Sequence, residues 1–137
     1  MPRILAIDYG TKRTGLAVTD ENKIISRPLD TVSTSRVISY LVDYLAKENV
    51  ECFVVGEPRQ MNGKPSSIKP QIDQLIAKLK KTFPNIPVER QDERFTSKLA
   101  SRALLESGLK KSDRRNKELV DMTSAVIILQ SFMERNS

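Results

Sequence analysis

Four consecutive apolar residues, Ile4-Leu5-Ala6-Ile7, stop at Asp8, and a polar segment, Tyr9 to Arg13, separates them from the alternating stretch Gly15-Leu16-Ala17-Val18-Thr19. A short apolar run followed by a period of two reads as strand, tight turn, strand. Such an arrangement holds a carboxylate at the edge of a core, where an uncompensated charge is costly. An ordinary solvated loop acid is therefore a poorer account of Asp8 than of the other acids.

The rest of the chain completes one pattern. Ile24 to Val32 supplies a third strand, in which Pro28 requires an edge position or a bulge. From Ser35 to about Lys47 the residues Val37, Ile38, Leu41, Val42 and Leu45 share a helical face, with Ser or Thr as cap. Cys52 to Val55 follows as a buried strand in a parallel crossover beside the first, and 59–65 reads as a loop. A second stripe, Ile68, Ile72, Leu75, Ile76, Leu79 and Phe83, ends at Pro84-Asn85, after which Ile86 to Arg90 supplies a fifth strand. Thr96 can cap a helix that Gly108 closes. The last helix presents Met122, Ala125, Val126, Leu129, Phe132 and Met133, with Asp121 one turn before Ala125 and so directed partly inward. The order β-β-β-α-β-α-β-α-α predicts an α/β class, a mixed five-stranded sheet flanked by helices, in one domain over 1–137.

The chain contains no His, which excludes Ser-His-Asp and Cys-His catalysis and His-ligated zinc. Catalysis must then run on carboxylates, hydroxyls, Lys or Arg. With 23 Lys and Arg against 17 Asp and Glu, a net charge of +6 favours a polyanionic partner. The single Cys52, inside an apolar run, is expected as a buried, inert thiol in a reducing compartment. The apolar stretch at the N-terminus is too short for a signal core or a membrane span, so a cytoplasmic protein without a membrane partner is expected.

Acids fall where such a sheet would gather them: Asp8 after strand one, Glu57 or Asp92/Glu93 after the parallel strands, and Asp121 on the final helix. Carboxylates brought together repel one another, and the usual remedy is Mg²⁺ or Mn²⁺, both of which prefer oxygen ligands. Two such ions about 3.5–4 Å apart can drive phosphodiester hydrolysis without His. Gly10 permits close approach to a phosphate, and Lys12 and Arg13 add charge. A sugar-kinase or actin-like ATPase also follows a strand-end acid with Gly and Thr, but it closes two domains around its nucleotide, and this chain has length for one. The connection Lys110-Lys111-Ser112-Asp113-Arg114-Arg115-Asn116-Lys117 offers five cations to a phosphate backbone, and Arg94 can add another. The plain alternative for each is a solvated charged surface.

These residues resemble the YqgF family, the Holliday junction resolvase-like proteins also described as pre-16S rRNA nucleases. The likeness is carried by residues 7–17, by Val54-Val55-Gly56-Glu57-Pro58, Met61-Asn62-Gly63 and Asp92-Glu93-Arg94-Phe95-Thr96-Ser97, and by 117–128 around Asp121. The resemblance implies an RNase H-like fold, a cytoplasmic nuclease dependent on one or two Mg²⁺ or Mn²⁺ ions, and a role in maturing the 5′ end of the 16S rRNA precursor. It implies Asp8, Glu93 and Asp121 as the acidic set. The chain departs from the family at Glu57, where members often carry Leu, so Glu57 ranks below these three as a further acid, as does Asp92. Pre-rRNA or branched DNA is the expected partner, and the protein is expected as a monomer or a homodimer. Cleavage of branched DNA and binding of structured RNA without catalysis are the rival readings.

Overall fold

The computed structural model describes residues 3–20, 25–57, 67–92 and 115–135. Strands β1 (Arg3–Asp8), β2 (Arg13–Thr19) and β3 (Ser26–Ser33) are followed by a 3-10 turn, Thr34–Arg36, and helix α1 (Val37–Leu45). Strand β4 (Val50–Glu57), helix α2 (Lys69–Thr82), strand β5 (Val88–Asp92) and helix α3 (Arg115–Arg135) complete the described elements. The five strands form one sheet in the order β3-β2-β1-β4-β5. The pairs β1–β2 and β2–β3 are antiparallel, and β1–β4 and β4–β5 are parallel.

This topology makes β3, β1, β4 and β5 point the same way. The connections through α1 and α2 both step toward β5, so right-handed crossovers place both helices on one face. The sheet accordingly separates two cores. Leu5, Ile7, Leu16, Val18, Phe53 and Val55 pack with Val37 and Leu41 of α1 and Ile72, Leu75, Ile76 and Leu79 of α2. On the other face Ala6, Ala17 and Val54 meet Ala125, Ile128, Leu129 and Phe132 of α3.

Pro28 meets both conditions set by the sequence. It lies on the edge strand β3, and the ladder slips there, Leu16 facing Asp30 and Ala17 facing Pro28 with Leu29 left over as a bulge. Four expectations need correction. Helix α1 begins after a 3-10 turn that puts Arg36, rather than Ser or Thr, at its N-cap, and no side chain caps it. Val42, assigned to the apolar face, is 47% exposed. Cys52 is half-buried on the α3 face rather than sealed, although burial still pushes its thiol up to about 11. Strand β5 also runs two residues later than expected, which makes Asp92 its last residue.

Candidate active site at the carboxyl edge of the sheet

Because β1, β4 and β5 are parallel, their last residues, Asp8, Glu57 and Asp92, share one edge of the sheet. Ligand sites of open α/β sheets form at such edges. Strand alternation then decides which side each residue serves. Leu5 and Ile7 enter the α1–α2 core and Ala6 enters the α3 core, so Asp8 belongs to the α3 face.

Across that face Asp8 stands opposite Gly15 on β2. On its other side the pairing of Ile7 with Val55 brings Gly56 alongside. Both flanking positions therefore lack a side chain, leaving the half-buried Asp8 carboxylate in a gap in the row. Gly56 in turn faces Gln91 on β5. Gln91 alternates with Arg90, which is held on the α2 face, so its amide belongs to the same side as Asp8. The Gln91 Oε1 is buried and has no hydrogen-bond partner among the described residues. A buried amide oxygen in the same row as a carboxylate is of the ligand type that a hard divalent cation prefers.

Glu57 occupies the opposite side. Its Oε1 accepts from Arg90 Nη1 at 3.0 Å, and Arg90 Nη2 donates to Asp73 Oδ1 of α2 at 2.8 Å. Lys69 completes the chain at 2.9 Å from Asp73 Oδ2. Hydrogen bonds from Lys69 and Arg90 hold the Asp73 carboxyl below the usual range, and Asp73 in turn raises Arg90. The network ties β4, β5 and α2 together behind the sheet.

The loop after Asp8 is fixed from outside. Thr34 Oγ1 donates to Gly10 O at 2.5 Å and Thr34 N–H to Lys12 O at 3.0 Å. A hydroxyl has one proton to give, so the 2.9 Å contact between Thr34 and the buried Thr14 is a donation from Thr14. A Cβ on Gly10 would run into the carbonyl oxygen of Arg13, which explains the glycine. Lys12 and Arg13 end the loop exposed at this edge.

The remaining expected site residues divide by what is described. Glu93, Arg94, Lys110, Lys111 and Arg114 lie outside the described residues. Asp121, Arg115 and Lys117 have a described backbone, in α3, as Asp92 does at the end of β5; their side chains lie outside the described residues. Asp121 is one turn ahead of Ala125, which packs on the face that carries Asp8. Among the described residues no group of three acids, Cys or His comes together. Sequence reasoning gave no role to Thr34 or Gln91. Gln91 was findable only by alternation on a correctly placed β5, and Thr34 acts across 24 residues of chain with no local signal.

A family model described as RuvX, Holliday junction resolvase, matches residues 2–135. A relative from Flavobacterium psychrophilum is 53% identical over 135 residues, covering 98% of both chains. One from Phocaeicola vulgatus is 54% identical over 134 residues, covering 98% of this chain and 96% of its own. Both carry a provisional name as pre-16S rRNA nucleases. Among solved structures, Thermus thermophilus RuvC in complex with a Holliday junction substrate is similar at a TM-score of 0.57 and 18% identity, covering 100% of this chain and 97% of that one. The Fowlpox virus resolvase bound to junction DNA follows at 0.52 and 14%, covering 96% and 99%. At these identities the structural likeness establishes the fold, a mixed five-stranded sheet of the RNase H-like kind. By the family match and by relatives more than half identical over nearly their whole length, the chain belongs to the RuvX family, described as Holliday junction resolvases and named YqgF in the sequence resemblance.

Proposed function

We propose that this chain is a nuclease that hydrolyses phosphodiester bonds in the cytoplasm and matures the 5′ end of the 16S rRNA precursor. The observation that carries the reading is the placement of Asp8, at the carboxyl edge of the sheet between two glycines and in one row with the buried Gln91 Oε1, which has no partner among the described residues. The names of the relatives, pre-16S rRNA nucleases, supply the substrate class.

In this reading Asp8, Glu93 and Asp121 hold one or two Mg²⁺ or Mn²⁺ ions. Such an ion, when bound, supplies positive charge against the phosphate and lowers the pKa of water. The glycines beside Asp8 leave room for a phosphate to approach the carboxylate. Lys12 and Arg13, at the end of the pinned loop, contact the backbone, as do Arg94, Lys110, Lys111, Arg114, Arg115 and Lys117. Glu57 is engaged with Arg90 on the other face and serves the scaffold.

The test compares precursor rRNA with a four-way DNA junction, using wild type and Asp8→Asn. Wild type should cut the RNA at its 5′ flank, and Asp8→Asn should lose about a hundredfold or more, since outer partners of a metal site alone are worth about 10–100-fold. Preference for the junction would move the substrate to branched DNA, the reading that the family description favours. Binding unaffected by EDTA, with no cleavage of either substrate, would make the protein a binder.

A further inference from the structure

Behind the sheet edge, between the loop after Asp8, the start of α1 and the side of α2, lies a cavity of about 310 Å³. That volume is at the lower end for small-ligand sites, about 300–1,000 Å³. Its apolar lining comes from Ile38 and the buried Leu75, and Tyr9 supplies an aromatic ring. Gln71, Gln74 and Lys78 line it from α2 at i, i+3 and i+7, a single helical stripe, and all three are exposed. Each Gln amide offers both a donor pair and an acceptor, and Lys78 offers a point charge.

Tyr9 follows Asp8 directly, with its Cα about 3.8 Å away. It packs on the α1–α2 side, whereas Asp8 serves the α3 side. A strand that has its scissile phosphate over Asp8 and crosses the sheet edge there passes next to this cavity. An aromatic ring, amides able to match a base edge, and a cation within one small cavity form a receptor for a single unstacked nucleotide. The cavity is too small for a base pair with its backbone.

We infer that this cavity takes one unpaired nucleotide of the substrate strand beside the cut, its base against Tyr9 and the amides of Gln71 and Gln74 and its phosphate toward Lys78. The inference rests on the nuclease reading and narrows its substrate class to a strand that is single-stranded next to the scissile bond.

Binding is measured on wild-type protein in EDTA, so that cleavage plays no part. The probes are labelled single-stranded oligonucleotides spanning the precursor 5′ flank, each with one abasic position. One position should weaken binding about tenfold, toward the lower end for one stacked base. Gln71→Leu combined with Gln74→Leu should bind the intact strand about tenfold more weakly and show a smaller loss at that abasic position, since only the Tyr9 contact remains. Both residues are exposed on α2, and circular dichroism verifies that the helix persists. Lys78→Ala should reduce the salt slope of binding by about one. No sensitive position, an undiminished abasic penalty in the double variant, or no binding of the intact strand would each overturn the inference. None of these results bears on whether the protein cleaves with metal present, so the nuclease reading stands or falls separately.

Discussion

The hydroxyl of Thr34 donates to the carbonyl oxygen of Gly10 at 2.5 Å, joining residues 24 positions apart. With the Thr34 N–H on Lys12 O, the bond fixes the loop that carries the chain from Asp8 to Arg13. Thr34→Val keeps the branched shape but leaves the fully buried Thr14 hydroxyl without its acceptor. The loss should be about 1–3 kcal/mol, with a melting temperature lower by several degrees. Cleavage should fall further than stability explains, and Thr34→Ser should restore both. Thermal unfolding and single-turnover cleavage measure the two effects. An unchanged melting temperature would show that the hydroxyl does not hold the loop.

Gly10→Ala tests the same loop from inside. The new Cβ meets backbone at Arg13, which has no side-chain freedom with which to yield. Relieving the clash requires the loop to move, at a cost of about 1–3 kcal/mol for overpacking. Activity should drop at least about tenfold, because Lys12 and Arg13 move with the loop. Thr11→Ala, at an exposed neighbour, should be close to neutral. Equal activity in the two variants would remove the steric explanation.

Those loop contacts mark where the sequence stopped being readable. The strand pair β1–β2, the crossover to β4 and the α2 stripe were legible because their apolar residues repeat at the period of their own element. The apolar pattern puts β5 two residues early because Ile86 and Val88 both pack into the core, so the apolar alternation begins before the strand does. The ladder instead follows β4 out to Glu57, through the polar residues Glu89 to Asp92. Asp8 was legible because the core leads straight into it. The separation of Asp8 from Glu57 was not, since it depends on Gly56, rather than Glu57, standing beside Asp8, a matter of register between strands.

Glu57→Gln and Asp8→Asn should therefore behave differently. The Gln amide oxygen still accepts from Arg90, so Glu57→Gln should keep activity within about threefold while Asp8→Asn loses about a hundredfold or more. Arg90→Leu should be the destabilising change in the network, by about 1–2 kcal/mol, because it removes a charged hydrogen-bond partner from both the nearly buried Glu57 carboxylate and Asp73. Asp73, whose carboxyl is depressed in the folded state, adds stability that is complete above its ordinary value of 3.8. That increment is lost as pH falls through the lower folded value, because the unfolded chain takes up the proton first. Asp73→Asn should flatten the acid limb of the stability profile in that range and leave neutral-pH cleavage unchanged. A Glu57→Gln enzyme as inactive as Asp8→Asn would place Glu57 in the active site after all.

Gln91 presents the opposite balance. A buried amide oxygen left unsatisfied costs about 1–3 kcal/mol, and Gln91 Oε1 has no partner among the described residues, so Gln91→Leu, similar in size, should stabilise the metal-free protein by about 1 kcal/mol. A cation held beside Asp8 would turn that cost into a contact. Ligands that bind only the folded state stabilise it by an amount that grows with the logarithm of their affinity, so Mn²⁺ should stabilise wild type more than Gln91→Leu and close or reverse the gap. Thermal unfolding with and without Mn²⁺ measures both quantities in the same two proteins. A less stable metal-free variant would mean that the oxygen already has a partner. An identical Mn²⁺ shift in the two proteins would mean that it faces away from the ion, and the row from Gly15 through Asp8 to Gln91 would then be an accident of strand register.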